Sequence, residues 1–189
     1  HVAEQPRELQ ESIHGYGLTP VQLLANAGIL SNRFVAVHAT HLTPAEITAL
    51  GKAQAYVCLC RTTERDLGDG LPRTTDLIKA GTKICVGVDS HAGADAFEEI
   101  RAVELDERSR TQKRTVSAEA PYLLQAGTQF GYEALGMPTY WSEDHIELNL
   151  ADPALAGLPE SQIIDGAIFA ATPRAINTVT VNGRQIITD

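Results

Sequence analysis

The sequence predicts an α/β fold built around a parallel sheet with helices on both faces. Three apolar runs recur within the first 90 residues, and each is followed by a polar loop and a helical pattern. Strands that are apolar throughout are typical of parallel sheets, because both of their faces are buried. Near residue 140 the pattern changes to alternating strands. We therefore predict a larger unit over residues 1–140 and a small β-rich segment over residues 141–189.

The strands and helices of the larger unit are delimited by local signals. The strands are RFVAVHA, AYVCLC and TKICVGV, at residues 33–39, 55–60 and 82–88. Thr19 and Thr43 each precede a proline, which is the arrangement of an N-cap followed by the first helical position. Glu46 completes a capping box with Thr43. The predicted helices cover residues 7–17, 19–28, 43–53, 73–81, 95–114 and 119–136.

Between the second strand and the next helix, the sequence RTTERDLGDGLP at residues 61–72 is predicted to be a polar loop. Its glycines, Gly68 and Gly70, allow a positive φ or a close approach of the backbone to a ligand. The loop does not match a phosphate-binding loop, because it lacks the lysine and the spacing to a helix start. A plain surface loop is the alternative interpretation.

The final segment combines two alternating stretches with a helix between them. HIELNLADP at residues 145–153 and INTVTVNGRQIITD at residues 176–189 have the apolar–polar alternation of strands exposed on one face. The Asn-Gly pair within VNGR predicts a type I′ hairpin turn. ESQIIDGAIFAAT at residues 160–172 is the predicted helix.

Composition limits the classes of partner and the compartment. The net charge of −9 argues against a general nucleic-acid or anionic-membrane binder, because both need a basic surface. No apolar run approaches the roughly 20 residues of a membrane span. The three cysteines, Cys58, Cys60 and Cys85, have no disulfide-framework spacing, which indicates a reducing, cytoplasmic location. Cys58 and Cys60 share a strand face and are interpreted as small buried side chains, with a metal pair as the alternative.

Ionisable and polar side chains follow several successive strands. His38 ends the first strand, Arg61 and Thr63 follow the second, and Asp89 follows the third. His1 and Glu4 would stand in the same position after a preceding strand. Functional groups of parallel α/β folds gather at the carboxyl ends of strands. The repetition of this placement, rather than any single residue, indicates a functional site.

Each of these residues also has a structural interpretation. His1 has the side chain of a zinc ligand, but it is equally a terminal residue. His38 is a candidate ligand, a candidate electrophile or a buried histidine with satisfied hydrogen bonds. Asp89 emerges from a buried strand and needs a metal, an arginine or several donors, because an unpaired buried carboxylate is costly; a helix cap or a salt bridge is its alternative. His41 is not paired with His38 and is predicted to pack in the loop.

Four motifs together resemble the formimidoylglutamate deiminases of the amidohydrolase superfamily, which are metal-dependent (β/α)8 barrels. The motifs are HVAEQ, VHATHLTPAE, CRTTERDLGDGL and GVDSHAGADAFEEIRAVE. The resemblance implies that the chain is the C-terminal half of a TIM-type barrel, with strands 5–8 and their helices, plus part of a small β-rich domain. The first-strand His-x-His pair of the superfamily is not found in this sequence.

The resemblance also implies roles for individual residues. His1 and Asp89 match metal ligands, and Glu4 matches a proton-shuttling glutamate. His38 matches the histidine that polarises the substrate or steadies the metal-bound water, and Asp89 also orients that water. The family signature LGDG lies near the mouth of the active site. The residues expected to contact substrate there are Arg61, Thr63, Gly68 and Asp69.

The resemblance implies a hydrolase that converts N-formimino-L-glutamate to N-formyl-L-glutamate and ammonia, a step of histidine degradation, through a zinc-bound hydroxide. Iron or another divalent metal fits the same ligands as zinc. The expected partners are a small substrate with carboxylates and the N-terminal barrel half, on the same or a separate chain. Open strand edges predict association with that half or as a homodimer. The alternatives are a deaminase of the same superfamily acting on a nucleobase or related ring, and a non-catalytic barrel-half subunit. The isolated chain is predicted to be inactive.

Overall fold

The computed structural model describes residues 1–114, 117–139 and 143–188 as helices, two sheets and connecting loops. The helices are α1 Pro6–Tyr16, α2 Pro20–Asn26, α3 Pro44–Lys52, α4 Arg61–Leu67, α5 Thr74–Ala80, α6 Ala96–Thr111, α7 Ala120–Ala126, α8 Gln129–Ala134 and α9 Ile163–Phe169. The strands are β1 Val35–Val37, β2 Tyr56–Leu59, β3 Lys83–Val86, β4 His145–Leu148, β5 Ile176–Val181 and β6 Arg184–Thr188. Short 3-10 turns lie at Glu160–Gln162 and Pro173–Ala175. The predicted α/β class is confirmed.

The first sheet is parallel, and its strands follow the order of the chain. β1 pairs with β2, and β2 pairs with β3. On the free side of β1, Val2 forms a parallel bridge with His38 and occupies a fourth strand position. The order of these four positions is therefore the order of the sequence, as repeated β–α units produce.

The main core lies between this sheet and the helices that cover it. Val57, Leu59 and Ile84 point from the strands into this core and are fully buried. Leu50 of α3 and Leu77 of α5 pack into the same cluster and are also fully buried. The near-continuous apolar runs of the sequence are thus the strands of a sheet that is covered by packed helices.

Two of the predicted elements differ from the structure. The segment predicted as a loop at residues 61–72 begins instead with helix α4. This helix ends at Gly68, whose φ of 72° lies in the left-handed region. The helix predicted over residues 119–136 is divided into α7 and α8. A Cβ on Gly127 would lie 2.2 Å from Cδ1 of Ile100. Close packing against α6 therefore requires a glycine at the interruption between the two helices.

The second sheet is antiparallel, with strand order β4-β5-β6. Asn182 and Gly183 join β5 to β6 with φ values of 48° and 68°, so the predicted hairpin turn with two positive φ angles is confirmed. Helix α9 precedes β5 and packs against α6 and α7. Its Ile168 is buried in the main core, which links the C-terminal segment to the first sheet. The domain boundary at residue 140 stays a prediction.

None of the helices in the described ranges is long and apolar enough to cross a membrane.

Candidate active site

Three predicted site residues meet at the carboxyl end of the parallel sheet. His1, His38 and Asp89 each offer one metal-ligand atom, and these atoms lie within 4.8 Å of one another. The rings of His1 and His38 have centroids 5.0 Å apart. Nε2 of His38 lies 3.6 Å from Oδ2 of Asp89. Residues that are far apart in the sequence therefore form one cluster of nitrogen and oxygen donors.

The backbone turns sharply at or next to the residues of this cluster. The amide of His38 donates to the carbonyl of Cys58 at 2.8 Å, which holds the end of β1 against β2. Ala3, His38 and Asp89 then adopt positive φ angles of 53°, 69° and 58°. A residue other than glycine disfavours this left-handed region by roughly 1–2 kcal/mol. Such strain at strand ends is typical of functional sites, where it fixes the direction of a side chain.

His38 presents one ring nitrogen to the cluster and uses the other for support. Its side chain is fully buried, and Nδ1 lies 3.0 Å from Oε1 of Glu64. Nε2 faces Oε1 of Glu4 and Oδ2 of Asp89, each 3.6 Å away. Within the described residues, this Nε2 has no hydrogen-bond partner. A buried polar atom without a partner is rare and indicates a missing ion, water or ligand.

The donor set fits a divalent metal such as zinc. Two imidazoles and one carboxylate are ligand types that zinc accepts, and Nε2 of His38 is an unsatisfied buried donor of the same kind. The family resemblance implied that His1 and Asp89 are ligands, and the structure brings both of them together with His38. Which of the three bind a metal stays a prediction.

Glu64 supports His38 from behind, and sequence reasoning missed it. Its buried carboxylate accepts the amide hydrogen of Cys60 at 2.8 Å through Oε1. Its other oxygen pairs with Nη1 of Arg61, whose Nε donates to Oδ2 of Asp106 at 2.7 Å. A carboxylate paired with arginine acts only as an acceptor, so Nδ1 of His38 carries the proton in this hydrogen bond.

Glu4 lies beside the cluster with a perturbed proton affinity. Burial raises the pKa of the Glu4 carboxyl above its usual value of 4.5, the charge of His38 opposes this, and Asp69 and Asp89 add to it. A raised pKa makes a carboxyl group better matched to accepting and returning a proton near neutral pH. Oε1 of Glu4 lies 3.6 Å from Nε2 of His38, and its role in moving protons stays a prediction.

The pKa of His38 is the result of opposing effects. Burial is the largest effect and lowers the pKa, but the hydrogen bond with Glu64 and the charges of Glu4 and Glu64 outweigh it. The net pKa lies above the usual 6.5. The carboxylates that surround the ring therefore compensate for the loss of water.

The four predicted substrate-contact residues have different surroundings. Arg61 is fully buried and donates to Glu64, Asp106 and the carbonyl of Gly70, so it supports the network behind His38.

Thr63 donates to the carbonyl of Val88 at 2.6 Å and accepts from the amide of His91 at 2.9 Å, which connects helix α4 to the segment around Asp89. Gly68 ends α4 and is exposed. Asp69 is buried beside Glu4. Contact of these residues with a substrate stays a prediction.

The buried thiols lie next to the network rather than in it. Cys60 is close enough to His38 and Glu64 to form a second group of three donors. Its hydrogen bond with the Cys58 thiol and its burial raise the pKa of Cys60 strongly. All three cysteines are free thiols. Because metals bind the thiolate, this group is better explained by packing, as the sequence predicted.

The fold and the cluster define a class of protein with donor side chains at the carboxyl ends of parallel strands. A model of the amidohydrolase family matches residues 1–142. The chain belongs to the amidohydrolase family.

Individual relatives are similar over the whole of this chain. It is 32% identical to formimidoylglutamate deiminase of Pseudomonas aeruginosa, covering 100% of this chain and 44% of the relative. It is 29% identical to 5-methylthioadenosine/S-adenosylhomocysteine deaminase of Pelotomaculum thermopropionicum, covering 99% and 45%. The crystal structure of an amidohydrolase from Brucella melitensis superposes with a TM-score of 0.89 at 29% identity, covering 100% and 44%. The chain thus spans less than half the length of these relatives.

Proposed function

We propose that this chain is the C-terminal half of a (β/α)8 barrel and carries strands 5–8 of that barrel. The four parallel strand positions, which run from Val2 through β1, β2 and β3 in sequence order, support this assignment. The share of each relative that the chain covers, 44% and 45%, is also that of a half. The remaining strands would come from the same or a separate chain and would close the sheet at its free edges.

We further propose that the complete protein holds a divalent metal ion, with zinc as the first choice. His1 and Asp89 would hold the metal, and His38 would point its free Nε2 at the same place. The metal would supply a Lewis acid that lets water ionise near neutral pH. The proposal rests on the three donors converging within 4.8 Å and on the buried Nε2 without a partner in the described residues.

Three residues of this chain would carry out proton transfer and orient the reacting groups. Glu4 takes a proton from the attacking water and returns it to the departing nitrogen. His38, held through Nδ1 by Glu64, directs Nε2 toward the reacting centre, 3.6 Å from Oε1 of Glu4. Asp89 accepts a hydrogen bond from the water and orients it. Fixed polar groups of this kind stabilise the charge that develops as the water adds.

The proposed reaction is the deimination of N-formimino-L-glutamate to N-formyl-L-glutamate. The water oxygen forms a bond to the formimino carbon, and the bond from that carbon to the terminal nitrogen breaks. Both hydrogens of the water reach this nitrogen, one of them through Glu4, so the nitrogen of the cationic formimino group leaves as ammonium, the protonated form of ammonia. The 32% identity to a formimidoylglutamate deiminase over this entire chain supports this substrate.

The cluster of His1, His38 and Asp89 beside Glu4 is the observation that carries the proposal, because a purely structural half-barrel has no need of it. The test uses the complete protein, loaded with zinc, and follows ammonia release. We expect release from formimidoylglutamate and none from adenosine-type nucleosides. Release from a nucleoside alone would instead assign the chain to the second group of relatives, the nucleoside deaminases. No release from either would favour a non-catalytic subunit.

Glu4 offers a sharper test of the mechanism. Glu4→Gln keeps the size of the side chain and removes its ability to accept a proton. We expect kcat to fall by roughly 10²–10⁴, the usual contribution of a general acid–base group. Glu11→Gln, on the exposed face of α1, is the matched control. A kcat for Glu4→Gln within about tenfold of the wild-type value would show that another group moves the proton.

A further inference from the structure

Asp69 is a buried carboxylate beside the candidate active site. It follows helix α4 directly and is 3% exposed. Both of its carboxylate oxygens are buried, and neither has a hydrogen-bond donor among residues 1–114, 117–139 and 143–188. Burying a charged group without a partner is costly, so proteins rarely keep one unless something binds to it.

The backbone around Asp69 is fixed from three sides. Its amide donates to the carbonyl of Glu64 at 2.9 Å, and its own carbonyl accepts from Nε2 of His41 at 2.7 Å. The next carbonyl, that of Gly70, accepts from Nη2 of Arg61 at 3.1 Å. The side chain is therefore held in its buried position by bonds that do not involve its carboxylate.

The carboxylate of Asp69 faces the candidate active site. The Asp69 carboxylate raises the pKa of the nearby Glu4 carboxyl group, and Glu4 itself lies 3.6 Å from Nε2 of His38. The two carboxyl groups together make one side of the site acidic, next to the place where the reacting nitrogen would lie.

We propose that Asp69 binds the positively charged nitrogen of an amidine-type substrate. A formimino group is a cation near neutral pH, and its terminal nitrogen carries N–H donors that can satisfy a carboxylate. A neutral amide of the same shape lacks that charge. The inference rests on the proposed function and deepens it, because it assigns the selection of C=N substrates over C=O analogues to one residue.

The same contact would make the site bind the substrate more tightly than the product. The formyl product is neutral at the position where the formimino substrate is charged. It therefore leaves the Asp69 carboxylate without a cation, whereas the substrate pairs with it. Asp69 would thus favour binding of the substrate over binding of the product.

The test measures equilibrium binding of two small probes to the full-length protein, formamidinium chloride and neutral formamide. We expect the wild-type protein to bind formamidinium at least about tenfold more tightly than formamide. Asp69→Asn should remove most of this preference, a loss of roughly tenfold or more for a hydrogen bond between charged groups, and leave formamide binding unchanged. The matched control is Asp66→Asn, which removes the same charge from an exposed position of α4 and should keep the preference.

Two results would overturn the inference. One is a wild-type protein without a preference for formamidinium, which needs no variant and does not depend on how Asp69→Asn folds. The other is a folded Asp69→Asn protein that keeps the preference within about threefold. Ammonia release from formimidoylglutamate is measured separately in the wild-type protein. If that activity is absent while the preference and its loss are observed, the proposed reaction fails and Asp69 still marks a cation-binding position.

Discussion

Nδ1 of His38 and Oε1 of Glu64 lie 3.0 Å apart, and both side chains are fully buried. The two residues come from different β–α units, since His38 directly follows β1 and Glu64 lies within α4. Their contact fixes the ring so that Nε2 points away from Glu64 and toward Glu4 and Asp89. Hydrogen bonds to the remote nitrogen of a site histidine commonly set its tautomer and orientation.

Replacing Glu64 tests this support. Glu64→Gln keeps a hydrogen-bond acceptor but loses the ion pair with Arg61 and can also offer the wrong group to Nδ1. We expect a 10–100-fold decrease in activity or metal affinity, the usual effect of losing such a partner. Steady-state kinetics and zinc titration of the complete protein measure it, and ¹⁵N chemical shifts of His38 report the tautomer. Glu98→Gln, at a half-exposed ion pair, is the control. Unchanged ¹⁵N shifts in Glu64→Gln would show that Glu64 does not set the tautomer.

Gly51 tests the packing of the helices that cover the sheet. A Cβ at this position would lie 2.0 Å from the carbonyl oxygen of Ala80, where α3 meets the end of α5. Because backbone atoms cannot move aside cheaply, we expect Gly51→Ala to lower the free energy of unfolding by about 1–3 kcal/mol. Gly15→Ala is the control, since no atom lies within 4 Å of its Cβ, and it should be neutral or stabilising by about 0.5–1 kcal/mol. Urea denaturation measures both. Equal stability of the two variants would contradict this packing.

Glu107 makes stability depend on pH. Burial, the largest effect, raises the pKa of its carboxyl, but hydrogen bonds from Arg110 and Thr75 outweigh it, and the net pKa lies below the usual 4.5. A carboxyl with a lowered folded-state pKa stabilises the fold above its unfolded-state pKa, and this contribution is lost as the pH falls through the folded-state value. We expect the free energy of unfolding to fall as the pH decreases from above 4.5 through the folded-state pKa, and to fall less in Glu107→Gln. Glu160→Gln, at an exposed position, should keep the wild-type slope. Equal slopes for Glu107→Gln and the wild type would exclude this contribution.

The parallel sheet could be predicted because its strands are apolar on both faces and end at polar residues. Val57 and Ile84 show this directly, since both are fully buried in the middle of their strands. The start of α3 was also readable, because Thr43 accepts from the amide of Glu46 and Glu46 bonds back to Thr43. These signals are local, and the bonds that they predict lie within a few residues.

Helix α4 and Glu64 could not be read in the same way. No side chain caps the start of α4 at Cys60, where the standard signal would stand. The amide of Cys60 is satisfied instead by Glu64, four residues later. The pairing of Glu64 with His38 spans 26 positions and depends on the strands being neighbours. The sequence does offer one signal for Glu64: it is an acidic residue one helical turn after a buried strand.

The backbone angles at the strand ends have a consequence for any attempt to engineer this protein. Ala3, His38, Ala39 and Asp89 all hold positive φ angles that glycine or asparagine would adopt with less strain. A search that rewards only heat resistance would therefore favour replacing His38 or Asp89, and would erase the cluster that they form. Directed evolution of this protein therefore needs a measurement of the site in every round, because thermal stability and the function of the site depend on the same few strained positions.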